Sequence, residues 1–286
     1  AARTEQTFEK CEQLAKLHPP ARAVDHIDAS DCDTTEVELW SDEFLEEALQ
    51  KAAQRGKVGK AVGPDGVSQR VVLMLCSDPR QPLVQLLRRA LTGKLNEDEI
   101  LLLTAATVLA IPKESGGVRP IAVSGGIARL FARVFHCLGK ERWTMASSGN
   151  FCGLRDGAVA ACHVFKHAFT CHKAMDTVAI SLDCSNAFNT VSREAVHGQI
   201  RSVTPELETL FISLYGSQAN LFYRTNDDRF LCLSSEQGLP QGSAASSALF
   251  ALATASSVEK TRLLFPSVSI ISYADDLTLV GPVTEA

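Results

Sequence analysis

Three aspartates stand where strands are expected to end. Asp183 closes the apolar, β-branched run TVAISLD (177–183), and Asp275 and Asp276 sit side by side in SYADDLTLVG (272–281) between two runs of β-formers. Adjacent carboxylates repel unless positive charge sits among them. Taken alone, the pair reads first as turn residues joining two strands. Two buried strands can also lie side by side, which lets acids about 90 residues apart in sequence meet. Carboxylates clustered in this way suit hard cations with oxygen ligands, such as Mg²⁺. A pair of such ions about 4 Å apart stabilises both the attacking and the leaving oxygen of phosphoryl transfer. A second set is cationic. Lys113 and Arg119 flank the turn ESGG on facing arms of an expected hairpin. Both can point at one phosphate group, Lys as a point charge and Arg as a bidentate fork. Without further context they read first as solvated hairpin charges. A third cluster, CHVFKHAFTCH, holds Cys162, His163, His167, Cys171 and His172. A single helix cannot wrap a tetrahedral zinc site, so these read as packed or surface helix residues.

The elements that must position these residues are mixed α and β. Ser41 is expected to cap a helix with Asp42 and Glu43 in its first turn and Gly56 as its stop. Asn96 and Glu99 form a capping-box-like start for another. Between these helices lie a Gly-rich loop at 56–68 and a helix over 83–91. Strands at 107–113 and 119–123 form the first hairpin, 220–233 a second and 267–281 a third. Helices are expected over 127–138, 158–169, 193–201, 206–215 and 243–259. Residues 19–35, with two prolines and no periodicity, read as a linker. The first 40 residues read as an acidic, solvated extension with no element assigned.

Composition bounds the function class. A chain of 286 residues, 45% hydrophobic and 21% charged, can bury a sizeable core. No apolar run reaches the roughly 18 residues of a membrane span, and no signal peptide is visible. Nine cysteines without a CxxC pair argue for free thiols in a reducing compartment. The net charge of −5 hides a strong asymmetry. Residues 1–50 carry −9, residues 51–173 carry +10 and residues 174–286 carry −6. A phosphate-binding surface needs a local basic patch, and the middle third supplies one.

At this point the chain resembles the reverse transcriptase family. LDCSNAF (182–188) is similar to its first catalytic motif, QGLPQGSAASSALF (237–250) to its second and YADD (273–276) to its third. Upstream, IPKESGGVRPI (111–121) resembles the fingers hairpin that holds the triphosphate. GPDGVS (63–68) resembles a motif of non-LTR retrotransposon and group II intron enzymes, and FCGLRDGAVAA (151–161) resembles a template-contacting segment. Six motifs in order are far more specific than any one alone. AFNTVSR and RPIAV lean towards the non-LTR retrotransposon branch.

The resemblance implies an α/β right-hand polymerase with an antiparallel palm sheet backed by helices. Fingers and upstream motifs would fill 41–173 and a palm 174–286, after the extension at 1–40. It implies an RNA-directed DNA polymerase using two Mg²⁺ ions, with Mn²⁺ as a substitute, and an RNA template, a DNA primer and dNTPs as partners. Asp183 and Asp275 would ligate both metals and Asp276 would support them. Lys113 and Arg119 would hold the triphosphate. The ring of Phe188 would block a ribose 2′-OH, and Gln241 and Gly242 would let the backbone approach the incoming nucleotide. An intracellular, nuclear location is implied by the resemblance alone. The sequence departs from the family in two ways. Ser243–Ala244 and Ser246–Ser247 stand where relatives carry Asp-Pro and Ser-Pro, which predicts a less rigid loop. The family continues beyond its third motif with a primer-gripping hairpin and a helical thumb, and the sequence given carries neither. A non-catalytic, nucleic-acid-binding remnant is therefore the rival reading. An RNA-templated RNA polymerase is disfavoured by Phe188 and by YADD.

Overall fold

The computed structural model describes residues 5–20, 27, 32–114, 116–147, 149–171 and 176–283. The chain opens with α1 (Phe8–Leu17), α2 (Thr35–Glu38), α3 (Asp42–Gln54), α4 (Gln69–Cys76), α5 (Pro82–Leu91) and α6 (Glu97–Thr104). It continues through β1 (Ala106–Pro112), β2 (Val118–Ser124), α7 (Gly126–Ala146), α8 (Gly157–Cys171) and β3 (Thr177–Asp183). Then come α9 (Ala187–Thr190), α10 (Arg193–Val203), α11 (Glu208–Phe211), β4 (Ala219–Arg224), β5 (Phe230–Ser235), α12 (Ser246–Leu264), β6 (Ser269–Tyr273) and β7 (Asp276–Pro282). Contacts divide the chain into two discontinuous units, residues 1–139 with 188–246, and residues 140–187 with 247–286. The linear boundary expected at 173/174 falls outside the described residues, as do His172 of the Cys/His cluster and most of the expected linker.

The first unit is built on a mixed sheet of order β2-β1-β4-β5. Two hairpins expected as separate pieces merge through a short parallel pairing, Ala106 with Leu221 and Thr107 with Phe222. The caps read from sequence form. The Ser41 hydroxyl accepts from the Phe44 N–H, and Asn96 and Glu99 close a reciprocal capping box that launches α6 straight into β1. Alternate residues of β1, Ala106, Val108 and Ala110, are buried with Leu221 and Tyr223. Cys11 and Leu14 of α1 complete that core, Leu14 with no exposed surface. Part of the acidic N-terminal stretch is thus packed, because α1 carries an apolar pair on one face. The helix expected over 206–215 winds in three ways: a 3₁₀ turn at Pro205–Leu207, then α11, then a π-turn at Ile212–Gly216.

The second unit holds an antiparallel sheet of order β3-β7-β6. Ala168 of α8 packs on Ile271 and Val280, with Phe165 and Ala161 alongside. The opposite sheet face presents Val178, Ile180 and Leu279 to Thr261 and Phe265 near the end of α12. Helices therefore back the sheet, and the strand ends carrying aspartates stay open. Among the described residues no helix is long and apolar enough to cross a membrane.

Candidate active site

The register of the second unit answers why the aspartates are spaced as they are. β3 and β7 pair antiparallel from Thr177 with Pro282 to Asp183 with Asp276, so these two acids are direct cross-strand partners. Directly opposed residues share a sheet face with Cβ atoms about 5 Å apart, and like charges there are destabilising. Asp275 is the second residue of the two-residue turn joining Tyr273 to Asp276. Asp183 and Asp276 are exposed and Asp275 is half-buried. The first turn residue, Ala274, has φ +52°. An L-residue with a Cβ adopts that region at a cost of roughly 1–2 kcal/mol. The turn is held from outside by Asn150, whose carboxamide bonds both backbone groups of Ala274. Sequence reading passed over Asn150, which immediately precedes the segment taken as template-contacting and carries no local signal of this contact.

The first unit gathers the other candidates around β2. Ile111 pairs with Arg119, and the Lys113 N–H donates to the Gly117 carbonyl across the turn. Lys113 lies two residues beyond Ile111, so strand alternation puts it on the face that Arg119 shares. Both are exposed. Neither side chain has an ion pair or hydrogen bond among the described residues. Gly116 and Gly117 take φ of +87° and +78°, which makes them the residues that permit this turn. Further along β2, the Ala122 N–H donates to the Gln241 carbonyl. Gly242 sits at φ +115°, and a Cβ there would lie 2.8 Å from the Ala122 oxygen. Phe188, half-buried, accepts at its carbonyl from the Leu239 N–H. The loop 237–242 is thus laced to β2 on one side and to α9 on the other.

Arg193 completes that lacing. Its guanidinium donates to the carbonyls of Gly238 and Ser217 at 2.8 Å, and to those of Ser235 and Gln237. The looser loop expected for want of prolines is held by hydrogen bonds instead. The Ser246 hydroxyl donates to the Pro240 carbonyl, and Ser243 meets the Tyr215 hydroxyl at 2.8 Å. Burial pushes Tyr215 up to about 12, so it stays a neutral partner. The GPDGVS loop docks at the β2–α7 junction, where a Cβ on Gly63 would lie 2.3 Å from the Ser124 carbonyl oxygen.

The eight predicted residues therefore fall into two sets. Asp183, Asp275 and Asp276 meet at one sheet end of the second unit. Lys113, Arg119, Phe188, Gln241 and Gly242 belong to the hairpin and loop of the first. In the carboxylate set the donors are all oxygen, two acids face each other across a ladder, and no cationic side chain among the described residues pairs with them. Among those residues no group of three or more His, Cys, Asp or Glu side chains is placed to hold a metal ion, the three aspartates included. Mg²⁺ keeps several waters and takes one or two carboxylates plus substrate phosphate, so a site of fewer protein ligands is the form to test. The His163–His167–Cys171 face does not form a metal cluster either. The Cys171 thiol sits 3.5 Å from His167 Nε2.

The sequence profile described as reverse transcriptase (RNA-dependent DNA polymerase) matches residues 111–285. The chain belongs to this family. All eight candidate residues lie inside the matched span, and the fold is that of the family's fingers and palm. A search of curated proteins gives no match. Solved structures similar to the chain include telomerase from Candida albicans with a TWJ fragment of telomeric RNA, at 8% identity and TM-score 0.48 over 63% of this chain and 38% of that one. Another is apo telomerase from Candida tropicalis truncated from its C-terminal domain, at 12% identity and TM-score 0.46, covering 63% and 44%. This reverse transcriptase chain thus spans about two fifths of the length of those structures.

Proposed function

We propose that the protein is an RNA-directed DNA polymerase of the retrotransposon type, extending a DNA primer on an RNA template with dNTPs. The observation that carries the reading is the pairing of Asp183 with Asp276 across β3 and β7, with Asp275 in the adjoining turn. Opposed carboxylates at an open strand end, with no cationic side chain paired to them among the described residues, reduce stability unless a cation offsets the repulsion. Asp183 and Asp275 are the residues that would hold a pair of Mg²⁺ ions, with Asp276 beside them. When bound, these ions lower the pKa of the primer 3′-hydroxyl and neutralise charge developing on the α-phosphate.

The chain's own side chains account for the remaining tasks. Lys113 and Arg119, sharing a face and with no counter-charge paired to their side chains among the described residues, suit a triphosphate. Gly242, whose missing Cβ admits the Ala122 oxygen of β2, would also leave the backbone bare for an incoming nucleotide, as the family resemblance implies. As the family resemblance implies, the ring of Phe188, half-buried here, would block a 2′-hydroxyl and so favour deoxynucleotides. The basic block at 51–173 supplies an electrostatic surface for template phosphates.

Primer extension on oligo(dT)-primed poly(rA) with Mg²⁺ tests the reading. The expected result is deoxynucleotide incorporation by the protein carried through its natural C-terminus, lost in Asp183→Ala and Asp275→Ala while template binding persists. Extension retained in those variants overturns the metal assignment. Template binding without any extension by the unaltered protein overturns the enzyme assignment.

A further inference from the structure

We infer that Asn150 is the positioning residue of the Asp275–Asp276 turn. This rests on the metal role proposed for those two aspartates. The turn between β6 and β7 has two residues, and only the first, Ala274, is forced to positive φ. Such a conformation persists where surrounding structure over-determines it. Asn150 does so with one planar group. Its Oδ1 accepts from the Ala274 N–H at 3.1 Å, and its Nδ2 donates to the Ala274 carbonyl at 3.1 Å. Both backbone groups of the strained residue are thus satisfied by a single side chain lying 124 residues away in sequence.

The carboxamide is itself fixed. Oδ1 also accepts from the Cys152 N–H at 3.1 Å, so two donors face the oxygen and one acceptor faces the nitrogen. That pattern determines which way the amide points. Asn150 is 8% exposed. Its backbone forms a parallel bridge with Ser272, and the Ser272 hydroxyl donates to the Gly149 carbonyl at 2.9 Å. The strand entering the turn and the turn's first residue are therefore held by the same short segment.

The residue type follows from these contacts. An ionised Asp could accept from the two N–H groups but could not donate to the Ala274 carbonyl. Gln carries one more methylene and would displace a buried group. Ala supplies neither bond and leaves the positive φ unsupported. Because Asp275 and Asp276 directly follow Ala274, any relaxation of that φ re-aims both carboxylates and changes how Asp276 meets Asp183. Asn150 touches neither metal nor substrate in this scheme; it acts through Ala274.

The test compares the unaltered protein with Asn150→Ala, the isosteric Asn150→Asp, Ala274→Gly and the double variant Asn150→Ala/Ala274→Gly. Two readouts are taken. The first is amide hydrogen exchange over residues 272–277 in metal-free protein, which needs no activity. Faster exchange at Ala274 is expected in Asn150→Ala, with a smaller change in Asn150→Asp, which still accepts from the Ala274 N–H, and unchanged exchange in Asn150→Ala overturns the inference whether or not the enzyme works. The second is primer extension resolved into kcat, dNTP KM and the Mg²⁺ midpoint. Loss of an outer-shell support typically costs 10–100-fold in activity or metal affinity. A fall of that size in kcat with a raised Mg²⁺ midpoint is expected, with dNTP KM and template affinity within about twofold. Glycine tolerates positive φ, so the double variant should recover most of the loss. An unrescued double variant, or an equal loss in template affinity, would show a general structural role and overturn the inference. Failure of the unaltered protein to extend primers would instead sink the proposed function, and the exchange arm would still decide the role of Asn150.

Discussion

Asp183→Asn should make the protein more stable without metal and less responsive to metal. The two carboxylates are cross-strand partners at an open sheet end, both exposed. Taking their separation as about 5–6 Å, Coulomb repulsion is about 0.75 kcal/mol in bulk water and about 3 kcal/mol at an effective dielectric of 20. Their exposure places them near the aqueous end, so relief of about 0.5–1 kcal/mol is expected. For a chain of this size that raises the thermal midpoint by about 1–3 °C. Mg²⁺ works in the opposite sense on the unaltered protein. At ten times its dissociation constant a ligand of the folded state adds about 1.4 kcal/mol. The stability order should therefore invert. Asp183→Asn is the more stable in EDTA, and in Mg²⁺ at ten times its dissociation constant the unaltered protein gains more than that difference while the variant gains little. Urea or thermal unfolding of both proteins, with EDTA and across a Mg²⁺ titration, reads the inversion directly. If Asp183→Asn were less stable than the parent in EDTA, the carboxylate would be held by an attraction and the repulsion assumed here would be wrong. An equal Mg²⁺ shift in both proteins would remove Asp183 from the cation site.

Further outcomes follow from the first unit. Gly242→Ala places a Cβ 2.8 Å from the Ala122 oxygen in a backbone that side chains rarely adopt, so dNTP kcat/KM should fall at least about tenfold. Steady-state kinetics check it, and an unchanged kcat/KM would show that the loop readily moves off β2. Arg193→Met removes the donors for the buried Gly238 and Gln237 carbonyls, and each buried acceptor left unbonded costs about 1–3 kcal/mol. A fall of several kcal/mol in urea unfolding is expected, and Arg193→Lys should recover only part. His18 is lowered to about 4 by burial and then by the charge of Arg193. Its folded pKa lies below the ordinary value of about 6.5, so the unfolded chain binds the extra proton between those pH values. Stability should hold above pH 6.5 and fall by up to about 3 kcal/mol towards pH 4. His18→Gln should flatten that slope in denaturation measured from pH 7 to 4.5.

What could be read in advance was set by range along the chain. The three hairpins, the Ser41 cap and the Asn96–Glu99 box are local, because alternation, turn residues and caps all act within about ten residues. Asp183, Asp275 and Asp276 were legible for the same reason: each sits at a strand end. The parallel join of β1 to β4 pairs residues more than 100 apart, and no local pattern announces it. Helix α1 was hidden because only Cys11 and Leu14 of its ten residues are buried, the rest being largely polar or charged. Phe188, Gln241 and Gly242 were nameable only through family resemblance. Their geometry depends on a loop tied to β2 and α9 from both sides and gripped by Arg193.

The residues least visible in sequence are those that hold the visible ones. Asp275 and Asp276 can be marked from two letters, but the direction they face depends on the φ of Ala274. That φ depends on Asn150, whose own neighbours in sequence say nothing of the contact. Likewise Gly242 advertises close approach, whereas the carbonyls that shape its loop are gathered by Arg193, an arginine that composition alone would place on the surface. Chemistry at this site requires residue types that a reader can list. Geometry requires buried donors and acceptors matched one to one with backbone groups of a distant segment. A polymerase motif can therefore be intact letter by letter and still fail. Asn150→Ala/Ala274→Gly is the pair that separates the two requirements, since it restores the turn's conformation without restoring its support.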